Sequence, residues 1–244
     1  MRKIILGILI GVIVLSFSGI ATAAIMIPGA DKAKEKAGLE RIEFIHYKKG
    51  YTKPTAAKTP KPPACYKFLT PTKVKWTDLP VDYVINPTNP QSLSESFITS
   101  AVYNSAETWD AATSKELMNN AYTIDYNETY GTHDYKNAIV FSDYPTAGVI
   151  AVTTVWYNPA TKSIVEFDIM FDTDWTWGDA TASSTVMDLQ NIATHELGHG
   201  VGLADVYDTV CSTVTMYGHS DYGEIQKKTL ETPDITGLQT LYGI

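Results

Sequence analysis

The sequence alternates between apolar and polar positions in a way that predicts five strands and three helices. Apolar residues at every second position, or in short runs bounded by Asn, Pro or Gly, indicate strands. Apolar residues at intervals of three and four, as at Phe97, Ile98 and Ala101, indicate helices. The predicted strands are residues 79–87, 121–127, 137–143, 148–158 and 163–172. The predicted helices are residues 92–113, 184–203 and 234–243.

The last two strands flank residues 159–162, with the sequence PATK, and are expected to form a hairpin. The chain order is therefore a strand, a helix, four strands, a helix, an irregular loop and a final helix. This order indicates an α+β fold. A length of 244 residues suits one sizeable domain with accessory segments.

The N-terminus has the pattern of an export signal. Arg2 and Lys3 precede an uncharged, mostly apolar run to about residue 20, and Ala21-Thr22-Ala23 matches the site that signal peptidase accepts. Residues 1–23 are predicted to be a signal peptide. The alternative is an uncleaved membrane anchor, because the run approaches the ~20 residues that span a bilayer. In both cases the rest of the chain is secreted or held on the outer face of the cell membrane.

Residues 24–64 are expected to be a propeptide or a linker. Their second half, residues 51–64, is rich in Lys, Thr and Pro, a composition that favours extended backbone and does not bury a core. The globular domain is predicted to cover residues 65–244.

Charge is distributed unevenly along the chain. Residues 25–75 hold twelve Lys and Arg against four Asp and Glu, whereas residues 76–244 hold five Lys against twenty-three Asp and Glu. An acidic domain argues against a nucleic-acid partner. No segment after the N-terminal run is apolar enough to cross a membrane, so membrane contact is expected only through that run.

The sequence HELGHGVGLAD, residues 195–205, carries the candidate chemistry. Residues four apart share a helix face, so His195 and His199 direct both imidazoles to one point, which suits zinc. Gly202 is suited to end the helix, which allows Asp205 to reach the metal as a third ligand. Glu196 is then free to take a proton from an attacking water. The ordinary alternative is a pair of histidines without a metal.

A second feature follows this motif, and together they resemble a known clan. Met216 and Tyr217 lie in the sequence TMYG, which is similar to the Met-turn of metzincin peptidases. Tyr217 is expected either to line a substrate pocket or to pack internally. The sequences KWTDLPVDYVIN, EFDIMFDTDWTW and ETPDITGLQTLYGI also resemble parts of the matrixins, the matrix metalloproteinase-type catalytic domains.

The resemblance covers about residues 65–244 and implies a zincin-like fold. That fold has a five-stranded twisted mixed sheet, two long helices and a small C-terminal subdomain with the Met-turn and the final helix. The implied activity is zinc-dependent cleavage of peptide bonds. The third ligand departs from the matrixin pattern, because Asp205 stands where matrixins have His. The matrixin structural-zinc motif is also absent from its usual loop, so one zinc, the catalytic one, is expected.

Two further sets of residues are candidates for sites. Asp172, Asp174 and Asp179 lie close in sequence and are candidate calcium ligands, although a solvated acidic turn explains them somewhat better. Cys65 and Cys211 are the only cysteines, and an exported protein favours a disulfide between them. The alternative is that the Cys65 thiolate occupies the zinc, as in the matrixin cysteine switch.

The sequence therefore predicts a monomeric, secreted or surface-tethered zinc endopeptidase with Glu196 as general base. Its partner is a protein or peptide that pairs in extended form with the edge strand near residues 148–155. Two alternatives remain at this point. One is a non-catalytic extracellular module that zinc stabilises, and the other is a dedicated protease that processes one partner protein.

Overall fold

The structure is a computed structural model that describes residues 34–35, 38–51 and 64–244. The predicted signal peptide and most of the Pro-rich segment lie outside the described residues. No helix in the described part is long and apolar enough to cross a membrane.

All five predicted strands are present, and they lie in one mixed sheet. In chain order they are β3 (Val84–Ile85), β4 (Thr123–Ile124), β5 (Ala138–Ser142), β6 (Val149–Asn158) and β7 (Ser163–Asp172). Strands β6 and β7 form the predicted antiparallel hairpin, with Ala151 opposite Phe171 and Asn158 opposite Ser163. Strand β5 is parallel to β7, and β3 is parallel to both β4 and β5.

The sheet is larger than the five strands expected, because eight strands are described in it. The additional strands are β1 (Lys34–Glu35), β2 (Leu39–Lys48) and β10 (His219–Ser220). A separate two-stranded sheet pairs β8 (Trp177–Gly178) with β9 (Met187–Asp188). The order of the main sheet is β1-β2-β6-β7-β5-β3-β4, and β10 also pairs with β2, on the edge that faces away from β6.

Strand β2 is the main departure from the sequence-based expectation. The sequence predicted no element within residues 24–64, yet Leu39–Lys48 forms a ten-residue strand. It pairs with β6, whose residues are buried along nearly their whole length. A strand that is covered by neighbours on both sides and both faces is typically mostly apolar, and the sequence of β6, VIAVTTVWYN, is apolar apart from two threonines and the final asparagine.

Three helices complete the fold, close to the predicted positions. They are α1 (Glu95–Asp110), α2 (Leu189–Gly200) and α3 (Thr232–Tyr242). The side chain of Ser94 caps α1 by accepting from Phe97 N, and that of Asp188 caps α2 by accepting from Asn191 N at 2.9 Å. Helix α2 is shorter than predicted because Asp188 starts it, four residues after the start of the expected pattern.

The core lies between the sheet and the two long helices. Trp109 of α1 is fully buried and its Nε1 donates to Thr194 O of α2 at 2.8 Å. Phe167 of β7 packs closely against Gly200, so α2 rests on the sheet. These contacts hold the helix that carries both predicted histidine ligands in a fixed position above β6 and β7.

Candidate active site

Helix α2 and the turn after it bring His195, His199 and Asp205 together. Gly202 has a φ of +111°, and its N donates to His199 O at 3.0 Å. A Cβ at this position would lie 3.0 Å from the carbonyl oxygen of Val74, so glycine suits both the backbone angle and the space. The turn ends the helix and returns the chain, which places the Asp205 carboxylate opposite the two imidazoles.

The three side chains have the spacing of a tetrahedral metal site. Asp205 Oδ1 lies 3.2 Å from His195 Nε2 and 3.4 Å from His199 Nε2. Bonds of about 2.0–2.1 Å to zinc give ligand–ligand edges of about 3.3–3.4 Å in a tetrahedron. His195 Nε2 and Asp205 Oδ1 are also buried without a hydrogen-bond partner among the described residues. Because unsatisfied buried polar atoms are costly, this donor set fits a bound zinc ion.

Backbone carbonyls orient both imidazoles. Nδ1 of His195 lies 2.7 Å from Thr215 O, and Nδ1 of His199 lies 2.9 Å from Leu203 O. A carbonyl oxygen only accepts, so each Nδ1 carries the proton and each Nε2 directs a lone pair into the site. Burial lowers the pKa of His195 to about 3, which favours the neutral ring that a metal ligand requires.

The third candidate ligand is held by a residue that the sequence did not indicate. Tyr207 donates its hydroxyl to Asp205 Oδ2 at 2.6 Å, which leaves Oδ1 toward the histidines. Burial alone would raise the pKa of Asp205, but the adjacent rings of His199 and His195 hold it well below its ordinary value. Asp205 is therefore an anionic donor in this site.

Glu196 lies beside the ligands and is completely buried. The hydroxyl of Thr153 on β6 donates to Oε2 at 2.5 Å, and His46 Nδ1 lies 3.1 Å from Oε1. Burial raises the pKa of Glu196 to about 7. A carboxylate with a pKa near neutrality is suited to accept and return a proton.

Met216 lies beneath α2, as expected for a Met-turn. Its side chain is fully buried, and a Cβ on Gly198 would overlap its Sδ. The carboxylate of Asp234 in α3 accepts from Thr215 N at 2.9 Å and from Met216 N at 3.2 Å. Since Thr215 O also binds His195, Asp234 links the final helix to the orientation of a metal ligand.

Tyr217 and the two cysteines pack together next to this turn. Cys65 and Cys211 form a disulfide, as the sequence predicted. The alternative, in which a free Cys65 thiolate binds the metal, does not apply to this structure. Tyr217 is buried against Cys211 and Val214, so its side chain has the packing role.

The acidic cluster differs in membership from the sequence-based set. Asp172 and Asp174 lie together, but the third carboxylate within 4.8 Å is that of Asp143. Asp179 lies elsewhere, with its Oδ1 3.4 Å from Lys228 Nζ. Sequence proximity brought Asp179 into the candidate set, whereas Asp143 follows β5, which is parallel to β7 and places its end beside Asp172.

Thr153, Tyr207, Asp234 and His46 were all missed by sequence reasoning. The first three belong to segments that the HELGHGVGLAD pattern does not cover, and no local spacing connects them to it. His46 had a weak signal, because Ile42, Phe44 and His46 fall at every second position of one segment, the spacing of residues on one face of a strand.

The fold is consistent with a zincin-type catalytic domain. The Matrixin family model matches residues 75–243, which is more than half of the chain, and this chain belongs to the matrixin family. Family membership supports zinc metalloendopeptidase chemistry acting on protein or peptide substrates.

Two human relatives are similar to parts of the chain. Neutrophil collagenase of Homo sapiens is 29% identical over 178 residues, which cover 72% of this chain and 35% of that protein. Matrilysin of Homo sapiens is 38% identical over 76 residues, which cover 31% of this chain and 27% of that protein. The aligned parts thus span about a third of the first relative and about a quarter of the second.

Proposed function

We propose that this chain is an exported zinc endopeptidase that cuts extended peptides with Glu196 as the general base. The observation that carries the proposal is the spacing of His195 Nε2, His199 Nε2 and Asp205 Oδ1, which matches the edges of a zinc tetrahedron beside a buried carboxylate. Three protein ligands leave one position of the tetrahedron for the reaction.

In this proposal His195, His199 and Asp205 hold the zinc. Bound zinc supplies a Lewis acid for the scissile carbonyl and makes a water molecule more acidic. Glu196 accepts a proton from the attacking water as the new C–O bond forms, and it then passes that proton to the amide nitrogen, so that the C–N bond of the tetrahedral adduct breaks and the amine leaves. Thr153 holds Oε2 of Glu196, which leaves Oε1 as the proton-accepting oxygen.

The substrate is proposed to lie extended along β6, antiparallel to it. Strand β6 would be an edge strand of the domain if β2 were not paired with it. An extended peptide bound by strand addition gains main-chain hydrogen bonds that do not depend on its sequence. All the proposed ligands and the base belong to one chain, so the site does not require a second copy.

Export is supported by the disulfide, because disulfides persist in oxidising compartments. We propose that residues 1–23 direct export and that the domain acts outside the cytoplasm.

For calcium, we propose the set Asp143, Asp172 and Asp174. Added calcium should then raise the melting temperature of the intact chain but not that of Asp143→Asn.

The test of the catalytic proposal is Glu196→Ala, introduced into the Phe44→Ala/His46→Ala chain so that β2, which pairs with β6, no longer covers the cleft. Zinc content, measured by elemental analysis, should remain at one per chain, while peptide hydrolysis falls by about 10²–10⁴-fold, the usual contribution of a general base. Glu116→Ala, at an exposed surface position, is the matched control and should retain activity. Activity of the Glu196→Ala chain within threefold of its Phe44→Ala/His46→Ala parent would contradict the assigned role.

A further inference from the structure

Strand β2 lies where the proposed substrate would lie. It pairs antiparallel with β6 through eight register pairs, from Glu40 opposite Tyr157 to Tyr47 opposite Val149. On its other edge it pairs in parallel with β10, and Lys49 N donates to Ser220 O at 2.8 Å. The C-terminal half of this segment is therefore enclosed by main chain on both sides.

The side chains of β2 alternate between the site and the opposite face of the sheet. Ile42 and Phe44 belong to the main core, which also contains residues of α2, whereas Ile45 and Tyr47 belong to a separate cluster on the other face of the sheet. The ring of Phe44 stacks on His199 with centroids 4.1 Å apart and planes 13° apart. Buried apolar contact of this kind fixes the strand over a proposed zinc ligand.

His46 is the residue of β2 that engages the catalytic machinery. Its ring lies 4.0 Å from that of His195, and its Nδ1 lies 3.1 Å from Glu196 Oε1. Its Nε2 lies 3.0 Å from Ser220 Oγ and 3.3 Å from Lys227 Nζ. An ammonium group only donates, so Nε2 accepts and Nδ1 donates its proton to Glu196.

This arrangement occupies both parts of the site that a substrate needs. The ladder along β6 is taken by β2, and the oxygen of Glu196 that should accept the proton of water is already bound by His46. A segment of the same chain also acts at a high effective concentration, commonly in the millimolar range for short tethers. A moderate intrinsic affinity is then enough to keep the site closed.

We infer that Leu39–Lys48 is an internal inhibitory strand that occupies the peptide-binding cleft and blocks Glu196 through His46, so that the peptidase is latent until this strand leaves. The inference rests on the proposed function and adds to it the regulation of the same site. A strand that served only to complete the sheet would not need an imidazole on the general base.

The experiment compares the zinc-loaded full chain with Phe44→Ala/His46→Ala. The matched control is Glu43→Gln, which lies on the same strand but has its Oε1 3.4 Å from the Tyr130 hydroxyl, on the other face. Two quantities are measured: hydrogen exchange of the backbone amides of β6, and kcat/KM for an unstructured casein substrate. Both increase with the fraction of molecules in which β2 has left the cleft.

We expect slow exchange of β6 in the unaltered chain and in Glu43→Gln, and faster exchange in the double variant. The kcat/KM of the double variant should rise by about tenfold or more, because apparent activity scales with the competent fraction of molecules.

A synthetic peptide with the sequence of residues 39–48 should inhibit the double variant competitively, whereas the same peptide with Ala at both positions should not. His46→Gln, a milder change, provides the same comparison if the double variant fails to fold.

Fast exchange of the β6 amides in the unaltered chain would overturn the inference. The inference would also be overturned if the double variant were folded, contained zinc and cut casein, but had the same kcat/KM as the unaltered chain. A variant that releases the strand and keeps zinc, yet cuts nothing, would contradict the proposed peptidase function while leaving the occupancy of the cleft by β2 supported. The two failures are therefore distinguishable.

Discussion

Tyr207 contacts a proposed metal ligand, Asp205, through its hydroxyl. That hydroxyl donates to Asp205 Oδ2, so Tyr207→Phe removes the hydrogen bond and keeps the ring that packs on His219. Groups that orient metal ligands typically change metal affinity by about 10–100-fold when removed, and we expect a loss in this range for zinc. Competition with a chelator of known affinity measures it.

The matched control is Tyr126→Phe. Tyr126 also donates its hydroxyl to a carboxylate, that of Glu95, but on the exposed surface. Its removal should leave zinc affinity unchanged. Equal zinc affinities for Tyr207→Phe and the unaltered chain would show that Asp205 does not depend on this contact.

Lys227 is a second residue whose role can be isolated. It is fully buried, its Nζ donates to Tyr217 O, and the same atom faces His46 Nε2 at 3.3 Å. A substrate that replaces β2 would place one side chain opposite this ammonium group. A hydrogen bond to a charged group is worth about 1.5–3 kcal/mol, so a peptide with Glu at that position should be cut about tenfold or more better than one with Leu.

In Lys227→Met this preference should disappear or reverse, since the pocket then offers no positive charge. The comparison of kcat/KM for the two peptides is made in Phe44→Ala/His46→Ala, where β2 is weakened, with Lys115→Met as the exposed control. A Glu preference that survives in Lys227→Met would exclude Lys227 as its source. Burial also lowers the pKa of Lys227 to about 7, so the comparison is best made below neutral pH.

These residues show what a sequence reveals about a site and what it does not. His195, Glu196 and His199 are visible because helical spacing places them on one face, and Gly202 and Asp205 follow within six residues. Tyr207 and Lys227 carry no comparable pattern. Their roles depend on how the chain after α2 folds back, which local spacing does not encode.

At the level of elements, the regular strands and helices were predictable because each carries its own signal. The hairpin of β6 and β7 has two mostly apolar runs joined by a short turn, and α1 and α2 have capping side chains at Ser94 and Asp188. Strand β2 was missed because it contains several charged residues and lies beside a Pro-rich stretch. Its partner, β6, is more than one hundred residues away in sequence, and such pairing depends on which edge the rest of the sheet leaves available.

Strand β7 carries two buried carboxylates that should make stability depend on pH. Burial raises the pKa of Glu166 to about 8 and that of Asp168 to about 7. In the unfolded chain both groups ionise near their ordinary values, about 4.3 and 3.9. Between these limits the folded state binds more protons than the unfolded state, so the free energy of unfolding should fall as pH rises from about 5 to 8.

Glu166→Gln should make this decline shallower, because one of the two groups then no longer titrates. The amide oxygen still accepts from the backbone N–H groups of Asp134 and Tyr135, which Glu166 Oε2 binds. Urea unfolding at pH 5, 6, 7 and 8 measures the slope, with the exposed Glu116→Gln as control. A slope identical to that of the unaltered chain would show that Glu166 is ionised throughout this range.

At the scale of the whole molecule, the disulfide links the start of the domain, at Cys65, to the segment that follows Asp205, at Cys211. Cys65 and Cys211 are 146 residues apart in sequence, and the chain between them includes the entire sheet from β3 to β7 and both long helices. Just after Cys65, Leu69 N donates to Gly202 O at 3.1 Å, and Lys67 O accepts from Ala204 N at 2.7 Å. Residues 67–69 therefore stabilise, through these two hydrogen bonds, the turn between His199 and Asp205.

We expect Cys65→Ser/Cys211→Ser to lower the free energy of unfolding by about 4–5 kcal/mol, the chain-entropy value for a loop of this length. Zinc affinity should also fall, because the segment that braces the turn at Gly202 is no longer tied to the C-terminal subdomain. Denaturant unfolding of the zinc-free protein measures the first effect, and chelator competition measures the second. Tris(2-carboxyethyl)phosphine, a reductant without thiol ligands for zinc, should reproduce both in the unaltered chain and change neither in the double variant, which separates loss of the crosslink from an effect of the serines. If the variant loses stability but binds zinc as tightly as the unaltered chain, the hydrogen bonds of residues 67–69 alone hold the turn.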